Sequence, residues 1–217
     1  MKEAYFAKKR NAHNRKRKRI FLLSVEGNNR TEKKYISGLR FHDVQIHFAT
    51  GNDTDPVNMT KSLLRDYKKK GLTQELGDLA FCIVDGDLSK EKESQILKAD
   101  EMIKAIPGRV IVSNPCVEVW FLCHFTDSTR QYVSGDEAIK RLQAFIPGYE
   151  KNMKGLANIL EDKTNTALDN AKKLDDYNQN AGRKIHKADY QPGTEMPILI
   201  ALLLEKETDT ADSIGTL

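Results

Sequence analysis

Three carboxylates follow directly on two short apolar runs, and their types and spacing predict chemistry. Glu26 comes after the run 20–25, and Asp85 and Asp87 come after the run 79–84. Ligands of open parallel sheets collect outside the carboxyl ends of the strands, so these acids are expected to converge at one edge. Converging carboxylates repel one another unless a cation lies between them, and Mg²⁺ or Mn²⁺ prefers such hard oxygen ligands. The pattern therefore predicts a metal site.

A metal site of this kind is suited to hydrolysis of phosphodiester bonds in DNA or RNA. Asp85 and Asp87 would be ligands about one turn apart, and Glu26 would be a further ligand or the general base. Gly27 and Gly86 carry no side chain, so they would let the backbone and a phosphate approach the carboxylates. Glu26, Asp85 and Asp87 are thus the predicted metal and catalytic residues, with Gly27 and Gly86 beside them.

Two alternatives account for the Asp85-Gly86-Asp87 segment differently. Asp and Gly are ordinary turn residues after a strand, and Asp87 could simply cap the helix that follows. Residues 81–89 are also similar to the haloacid-dehalogenase phosphatase signature, an apolar strand that ends in Asp-x-Asp. Those enzymes carry the signature on their first strand, whereas here it follows the third, and Glu26 would have no role.

Strands that alternate with helices must position these acids. Apolar runs bounded by turn residues predict strands buried on both faces, and the alternating run 44–49 predicts a strand nearer an edge. Asp55 as N-cap and Pro56 at the first position predict a helix to about Lys70. The other predicted strands are 20–25, 79–84 and 109–112, and the other predicted helices are 31–39, 89–106 and 117–125. This alternation predicts an α/β fold with a mostly parallel central sheet flanked by helices.

The last third of the chain differs in character. Residues 134–137 form a capping box before a helix to about Phe145, and an amphipathic helix is predicted at about 195–206. The chain is therefore predicted to consist of an arm (1–19), an α/β core (20–130) and a helical C-terminal region packed on the core (131–217).

Composition limits the class of protein. The 217 residues are 39% hydrophobic, which supports a core, and no apolar run reaches the length of a membrane-spanning helix. No apolar segment precedes Ile20, so no secretory signal is expected, and the three cysteines lack metal-ligand spacing. A cytoplasmic protein with buried thiols and no membrane partner is expected.

The basic charge is concentrated at the N-terminus. Residues 1–19 hold nine Lys or Arg and one acid, so they carry +8, and the rest of the chain carries −4 of the net +4. Such an arm suits a polyphosphate backbone through counterion release, although a solvated tail is the simpler alternative. A second basic patch surrounds His186. The predicted nucleic-acid-binding residues are Arg15, Lys16, Arg17, Lys18, Arg19, Arg183, Lys184 and Lys187.

Two polar residues interrupt the apolar helix predicted at 117–125. Glu118 would be unfavourable to bury without a partner, so it is expected to face the metal site or to pair with an arginine such as Arg109. His124 is expected to be a hydrogen-bonded core residue rather than a metal ligand.

Two motifs resemble a known family. Val25-Glu26-Gly27 and Asp85-Gly86-Asp87, each after a strand, resemble the Toprim metal-binding pattern of topoisomerases, bacterial primases and overcoming-lysogenization-defect nucleases. The wider strings 25–32 and 113–125 resemble the RloB-like family of prokaryotic defence-associated proteins. This resemblance covers about residues 18–205, and the Asn-Pro…Glu-x-Trp segment is its most specific part.

The resemblance implies a Toprim-like (Rossmannoid) fold and action beside an ATPase partner in abortive infection or restriction. It makes Glu26, Asp85 and Asp87 the metal and catalytic carboxylates, with Glu32, Asn114 and Glu118 as additional or supporting residues. The chain lacks a Gly-x-x-x-x-Gly-Lys-Ser/Thr motif, so any ATP dependence would come from the partner. A non-catalytic nucleic-acid-binding or adaptor subunit is the alternative function. Residues 191–194 depart from the family's Asn-Pro-x-Thr form.

Overall fold

A computed structural model describes residues 17–26 and 31–205. The strands in these ranges are β1 (Arg19–Val25), β2 (Val44–Phe48), β3 (Leu79–Asp85), β4 (Gly108–Asn114) and β5 (Gly193–Thr194). The helices are α1 (Thr31–Gly38), α2 (Pro56–Lys69), α3 (Lys90–Ile103), α4 (Glu118–Cys123), α5 (Gly135–Gln143), α6 (Leu156–Leu160), α7 (Thr164–Asn180) and α8 (Met196–Leu204).

The strands form one sheet in the order β2-β1-β3-β4-β5. The first four pair in parallel, and β5 is antiparallel to β4. The α/β fold with a mostly parallel sheet is therefore confirmed, and the alternating run at 44–49 is the edge strand β2. The sequence did not predict β5, because a pair of residues is too short for a periodic pattern.

Helices cover both faces of the sheet. Successive strand side chains point to opposite faces, so Leu22 packs with Met59 of α2 and Ile96 of α3, whereas Phe21 and Leu23 pack in the larger core on the other face. That larger core contains Trp120 of α4 together with apolar side chains of α1 and α5–α8. The C-terminal helices thus share a core with the sheet.

Capping side chains fix where the helices begin. Asp55 accepts a hydrogen bond from the backbone N–H of Asn58 at 2.8 Å, as the sequence predicts for α2. Ser89 caps α3 through the N–H of Lys92. The alternative in which Asp87 caps this helix is therefore wrong, since the chain turns twice with positive φ, at Asp87 and Leu88, before the helix starts. No helix of residues 17–26 and 31–205 is long and apolar enough to cross a membrane.

Candidate functional site

The acids at the ends of β1 and β3 lie side by side. Val25 pairs with Ile83 in the sheet register, which brings the residue after β1 next to the last residue of β3. The backbone N–H of Asp85 donates to Glu26 Oε2 at 3.3 Å. Residues 59 positions apart in the chain thus meet at the carboxyl edge of the sheet.

Asp85 is the innermost of these acids. Its side chain accepts a hydrogen bond from the backbone N–H of Val117 at 2.9 Å, and the residue is only 7% exposed. Burial raises the pKa of Asp85 well above its ordinary value, and the charges of Glu32, Glu118, Glu26 and Asp87 raise it further. The charged form of Asp85 is therefore less favourable in the folded protein than in water. Strongly raised pKa values of this kind are common at functional sites.

The Asp85-Gly86-Asp87 turn is fixed to the segment that follows β4. Gly86 N–H donates to Ser113 O at 2.8 Å, and Asp87 N–H donates to Pro115 O at 3.0 Å. The buried Asn114 accepts the N–H of Leu88 at 3.3 Å through Oδ1. Asn114 therefore supports the turn from the neighbouring strand.

Replacing Gly86 with Ala should weaken this support. A Cβ at Gly86 would lie 2.6 Å from Asn114 Oδ1, so the amide would have to move. We expect the free energy of unfolding to fall by about 1–3 kcal/mol, as for other overpacked sites, measured by chemical denaturation. Gly135→Ala is the control, because its nearest neighbour would be Cys116 Sγ at an ordinary 3.4 Å. Equal stability of the two variants would contradict this account of Gly86.

Two further acids lie beneath the turn. Glu118 is 0% exposed; Tyr149 donates to its Oε1 at 2.8 Å, and its Oε2 has no hydrogen-bond partner among the described residues. Burial raises the pKa of the equally enclosed Glu32 to about 8, with Glu118 and Glu26 adding to the shift. Lys151 is exposed at the surface. Partial desolvation opposes its charge, but the charges of Glu118, Asp85 and Glu32 outweigh this and raise the pKa of Lys151.

The alternative prediction, that Glu118 pairs with Arg109, is wrong. Arg109 donates to Glu195 at 2.9 Å instead. It lies near the start of β4, whereas Glu118 follows the far end of that strand. A seven-residue strand rises about 20 Å, too far for one side chain to span. Glu118 interacts instead with Asp85 and Glu32, on the side of the predicted site.

Lys92 is a site residue that sequence analysis missed. Its ammonium lies 2.5 Å from Glu26 Oε1 and 3.5 Å from Asp87 Oδ2, and it also donates to Thr54 O at 3.2 Å. Burial opposes its charge, but hydrogen bonds and the charges of Glu26 and Asp87 raise the pKa of Lys92. The signal in the sequence was weak, because a lysine in the first turn of a helix is usually solvated.

A cavity of about 320 Å³ opens beside this lysine. Glu26, Asp87 and Lys92 line it, together with residues from the beginnings of α2 and α3. Helix N-termini present unpaired N–H groups and favour anions. The cavity therefore combines carboxylates, an ammonium group and two helix N-termini.

The carboxylate oxygens of these residues are the type of ligand that a hard divalent cation prefers. In the arrangement described, Glu26 is paired with Lys92, and Asp85 with a backbone N–H. Accordingly, no group of three Asp, Glu, His or Cys side chains within residues 17–26 and 31–205 is placed to hold an ion. The predicted ligands are adjacent, and Lys92 is the cationic partner of Glu26 and Asp87. Gly27 lies outside the described residues.

The predicted basic residues have different surroundings. Arg15 and Lys16 lie outside the described residues. Arg17 donates to both oxygens of Asp78, at 2.9 and 3.0 Å, at the edge of the sheet opposite the acids. Arg19 begins β1, where its guanidinium lies 5.6 Å from the Phe21 ring centre, and Lys18 is exposed. The structure therefore places the start of β1 about one strand length from the acidic site.

The basic patch around His186 is largely paired within the chain. Arg183 donates to Asn178 Oδ1 and Gln191 O, and Lys187 donates to Glu93 at 3.1 Å. Lys184 is exposed. The role of these residues in nucleic-acid binding stays a prediction.

The remaining predictions concern core residues. His124 is buried with Nδ1 3.1 Å from Trp120 O, and burial lowers its pKa to about 4, as expected for a core histidine. Cys82, Cys116 and Cys123 are all buried free thiols.

A sequence model of the family described as RloB-like protein matches residues 21–203. This range includes both strand-end motifs and the segment 113–125. Comparison with curated proteins and with solved structures gives no significant match.

Proposed function

The chain belongs to the RloB-like family, and from that premise and its acidic strand-end site we propose that it is a divalent-metal-dependent nuclease. Its reaction would be hydrolysis of a phosphodiester bond in DNA or RNA, with Mg²⁺ or Mn²⁺ as cofactor. We further propose that it acts in antiviral defence beside an ATPase partner, consistent with the lack of a phosphate-binding loop motif in its own sequence.

The observation that supports the proposal best is the convergence of five carboxylates at one sheet edge, where two of them contact Lys92. Glu26 and Asp85 are in contact, Asp87 faces Lys92, and Glu32 and Glu118 are enclosed beneath them. An ordinary turn needs none of this buried negative charge. Burial of these carboxylates is unfavourable for folding, and a function that uses their charge would explain why they are there.

Glu26, Asp85 and Asp87 would hold the cation. When bound, the cation would polarise a phosphoryl oxygen and lower the pKa of a bound water. Lys92 would exchange Glu26 for a phosphate oxygen, since its ammonium already lies in the cavity beside the acids. Gly86 would let Asn114 lie close against the turn that carries the two aspartates.

The direct test is a cleavage assay on duplex DNA, single-stranded DNA and transfer RNA, each with Mg²⁺, Mn²⁺ or EDTA. We expect cleavage of at least one substrate with either metal and none with EDTA. Equal cleavage in EDTA would contradict the metal dependence. Binding of nucleic acid without any cleavage, also in the presence of the proposed ATPase partner, would favour the adaptor function. Hydrolysis of p-nitrophenyl phosphate alone would favour the phosphatase alternative.

Lys92→Gln should increase the affinity of the site for a divalent cation. The ammonium neutralises Glu26 and partly Asp87, so a cation must compete with it. Two unit charges about 4 Å apart near a protein surface interact by about 4 kcal/mol, so we expect the Kd for Mn²⁺ to fall at least about tenfold, which is about 1.4 kcal/mol.

Isothermal titration calorimetry with Mn²⁺ measures this change. Lys90→Gln is the matched control, because Lys90 lies on the same helix but pairs with Glu93, and its side chain is 78% exposed. Its Kd should equal that of the wild type. Weaker Mn²⁺ binding by Lys92→Gln would show that Lys92 supports the cation rather than competing with it.

A further inference from the structure

His186 is enclosed between two carboxylates away from the acidic strand-end site. Its Nδ1 is hydrogen-bonded to Asp100 Oδ2 of α3, and its Nε2 lies 2.5 Å from Glu195 Oε2, just before α8. The side chain is 8% exposed, and the residue has a φ of 64°. A non-glycine residue in this backbone region is uncommon and needs support from its surroundings.

The two contacts determine the protonation of the ring. A neutral imidazole carries one N–H, so it can donate to only one carboxylate, whereas an imidazolium donates to both. Glu195 also accepts from Arg109 at 2.9 Å and from the N–H of Val112 at 3.0 Å. The charged groups facing one another here are Asp100, Glu195, Arg109 and protonated His186, so two positive charges balance two negative ones.

Hydrogen bonds connect this cluster with the Asp85-Gly86-Asp87 turn. The residues after His186 present their carbonyls to Asn114, whose Nδ2 donates to Lys187 O at 3.4 Å, Ala188 O at 3.0 Å and Tyr190 O at 3.2 Å. Asn114 Oδ1 in turn accepts the N–H of Leu88. The amide of Asn114 is thus oriented from both sides, by the segment 187–190 and by the turn.

A second attachment holds the same segment against α3. Glu93 accepts from the N–H of Ala188 at 2.9 Å and from Lys187 at 3.1 Å. Segment 186–190 is therefore bound to α3 at two carboxylates, Glu93 and Asp100. These are separated by about two helical turns on α3, which fixes the direction of the segment.

We propose that protonated His186 is a positioning residue that holds segment 186–190 and, through Asn114, the Asp85-Gly86-Asp87 turn. Loss of the proton removes one of its two contacts, loosens the carbonyls around Asn114 and releases the N–H of Leu88. The part of this inference that concerns metal binding rests on the proposed function, whereas the part that concerns the turn does not.

The titration of His186 is consistent with this role. Burial disfavours the charged ring, but the hydrogen bonds and charges of Asp100 and Glu195 outweigh it and raise the pKa of His186 to about 9. Because the folded pKa lies above the ordinary value of about 6.5, the stabilisation is complete below about pH 6.5 and is lost as the pH rises through about 9.

Nuclear magnetic resonance of the full chain tests the inference. We expect the His186 ring to titrate near pH 9, and Asp100→Asn to lower this midpoint by at least about one pH unit, since an adjacent opposite charge typically shifts a pKa by about one to three units. In Asp100→Asn, exchange of the Leu88 N–H at pH 8, corrected for its intrinsic rate, should be at least about tenfold faster, and Mn²⁺ should bind more weakly.

Glu101→Gln is the matched control, because Glu101 is the next residue of α3, is exposed and pairs with Lys104. It should leave the His186 midpoint and the Leu88 exchange unchanged. Titration of His186 near 6.5 in the wild type, or unchanged Leu88 exchange in Asp100→Asn, would overturn the inference. These two readouts decide it even if the wild type cuts no nucleic acid and binds no Mn²⁺, an outcome that would contradict only the proposed function.

Discussion

Asp85→Asn should abolish metal-dependent cleavage while leaving the fold at least as stable as that of the wild type. The variant keeps the size of the side chain but loses the charge that a cation needs. Transition-state stabilisation by a metal ion amounts to several kcal/mol, so we expect the cleavage rate to fall about a thousandfold or more.

The stability of the Asp85 variant should rise because the native carboxylate is unfavourable. Burial and four neighbouring acids raise its pKa, so its ionisation is harder in the folded than in the unfolded chain. The free energy of unfolding of the wild type should therefore fall as the pH rises above about 4. The variant should show a shallower fall and should be more stable than the wild type at neutral pH, because it has no buried carboxylate to ionise at this position.

Chemical denaturation at several pH values and the cleavage assay together measure both effects. The Oδ1 of the asparagine still accepts the N–H of Val117, so this contact is retained. Asp127→Asn is the control for a lost carboxylate, because Asp127 is exposed and pairs with Lys173. A variant that is inactive and also strongly destabilised would show that Asp85 is a structural acid, and full activity would contradict its role as a ligand.

Asp78→Ala should be strongly destabilising, although Asp78 lies outside the site. Asp78 is fully buried at the start of β3 and accepts four hydrogen bonds, two from Arg17 and one each from the N–H groups of Ile20 and Thr73. Alanine would leave two backbone donors without a partner. Each such donor costs about 1–3 kcal/mol, so we expect a loss of about 3 kcal/mol.

The pH dependence of Asp78 has the opposite sign to that of Asp85. Burial alone would raise its pKa, but the hydrogen bonds from Arg17, Ile20 and Thr73 outweigh it, so the pKa is lowered. The stabilisation from Asp78 is therefore present above about pH 4 and is lost as the pH falls through the lowered pKa. Acid denaturation should show this loss in the wild type and not in Asp78→Ala.

Arg17→Gln separates the two contributions of Asp78. The Arg17 side chain is 40% exposed, so its ion pair is weakened by solvent and should contribute about 1 kcal/mol or less. The backbone donors to Asp78 are retained in this variant. Equal destabilisation by Arg17→Gln and Asp78→Ala would show that the ion pair, rather than the two N–H groups, is the main contribution.

The sequence by itself determined the local elements and which strand ends carry acids. Short apolar runs that alternate with helices are typical of a buried parallel sheet, and the edge position of β2 followed from its alternating pattern. The cap at Asp55 also followed from local rules, because a helix N-terminus is completed by residues within one turn of it. The meeting of Glu26 with Asp85 was predictable for the same kind of reason, since carboxyl ends of parallel neighbours share an edge.

Only the tertiary structure decided which side chains surround these acids. Lys92 and Glu26 are 66 positions apart, and His186 and Asp100 are 86 positions apart. Whether Glu118 met Arg109 or the acids depended on the direction and length of β4, and β5 formed only because the segment 193–194 meets the end of β4. A periodic pattern reports which face of an element is buried, but the partner of a polar side chain depends on how separate elements pack. The strand-end acids were therefore present in the sequence, whereas their lysine and the histidine that supports their turn came from packing.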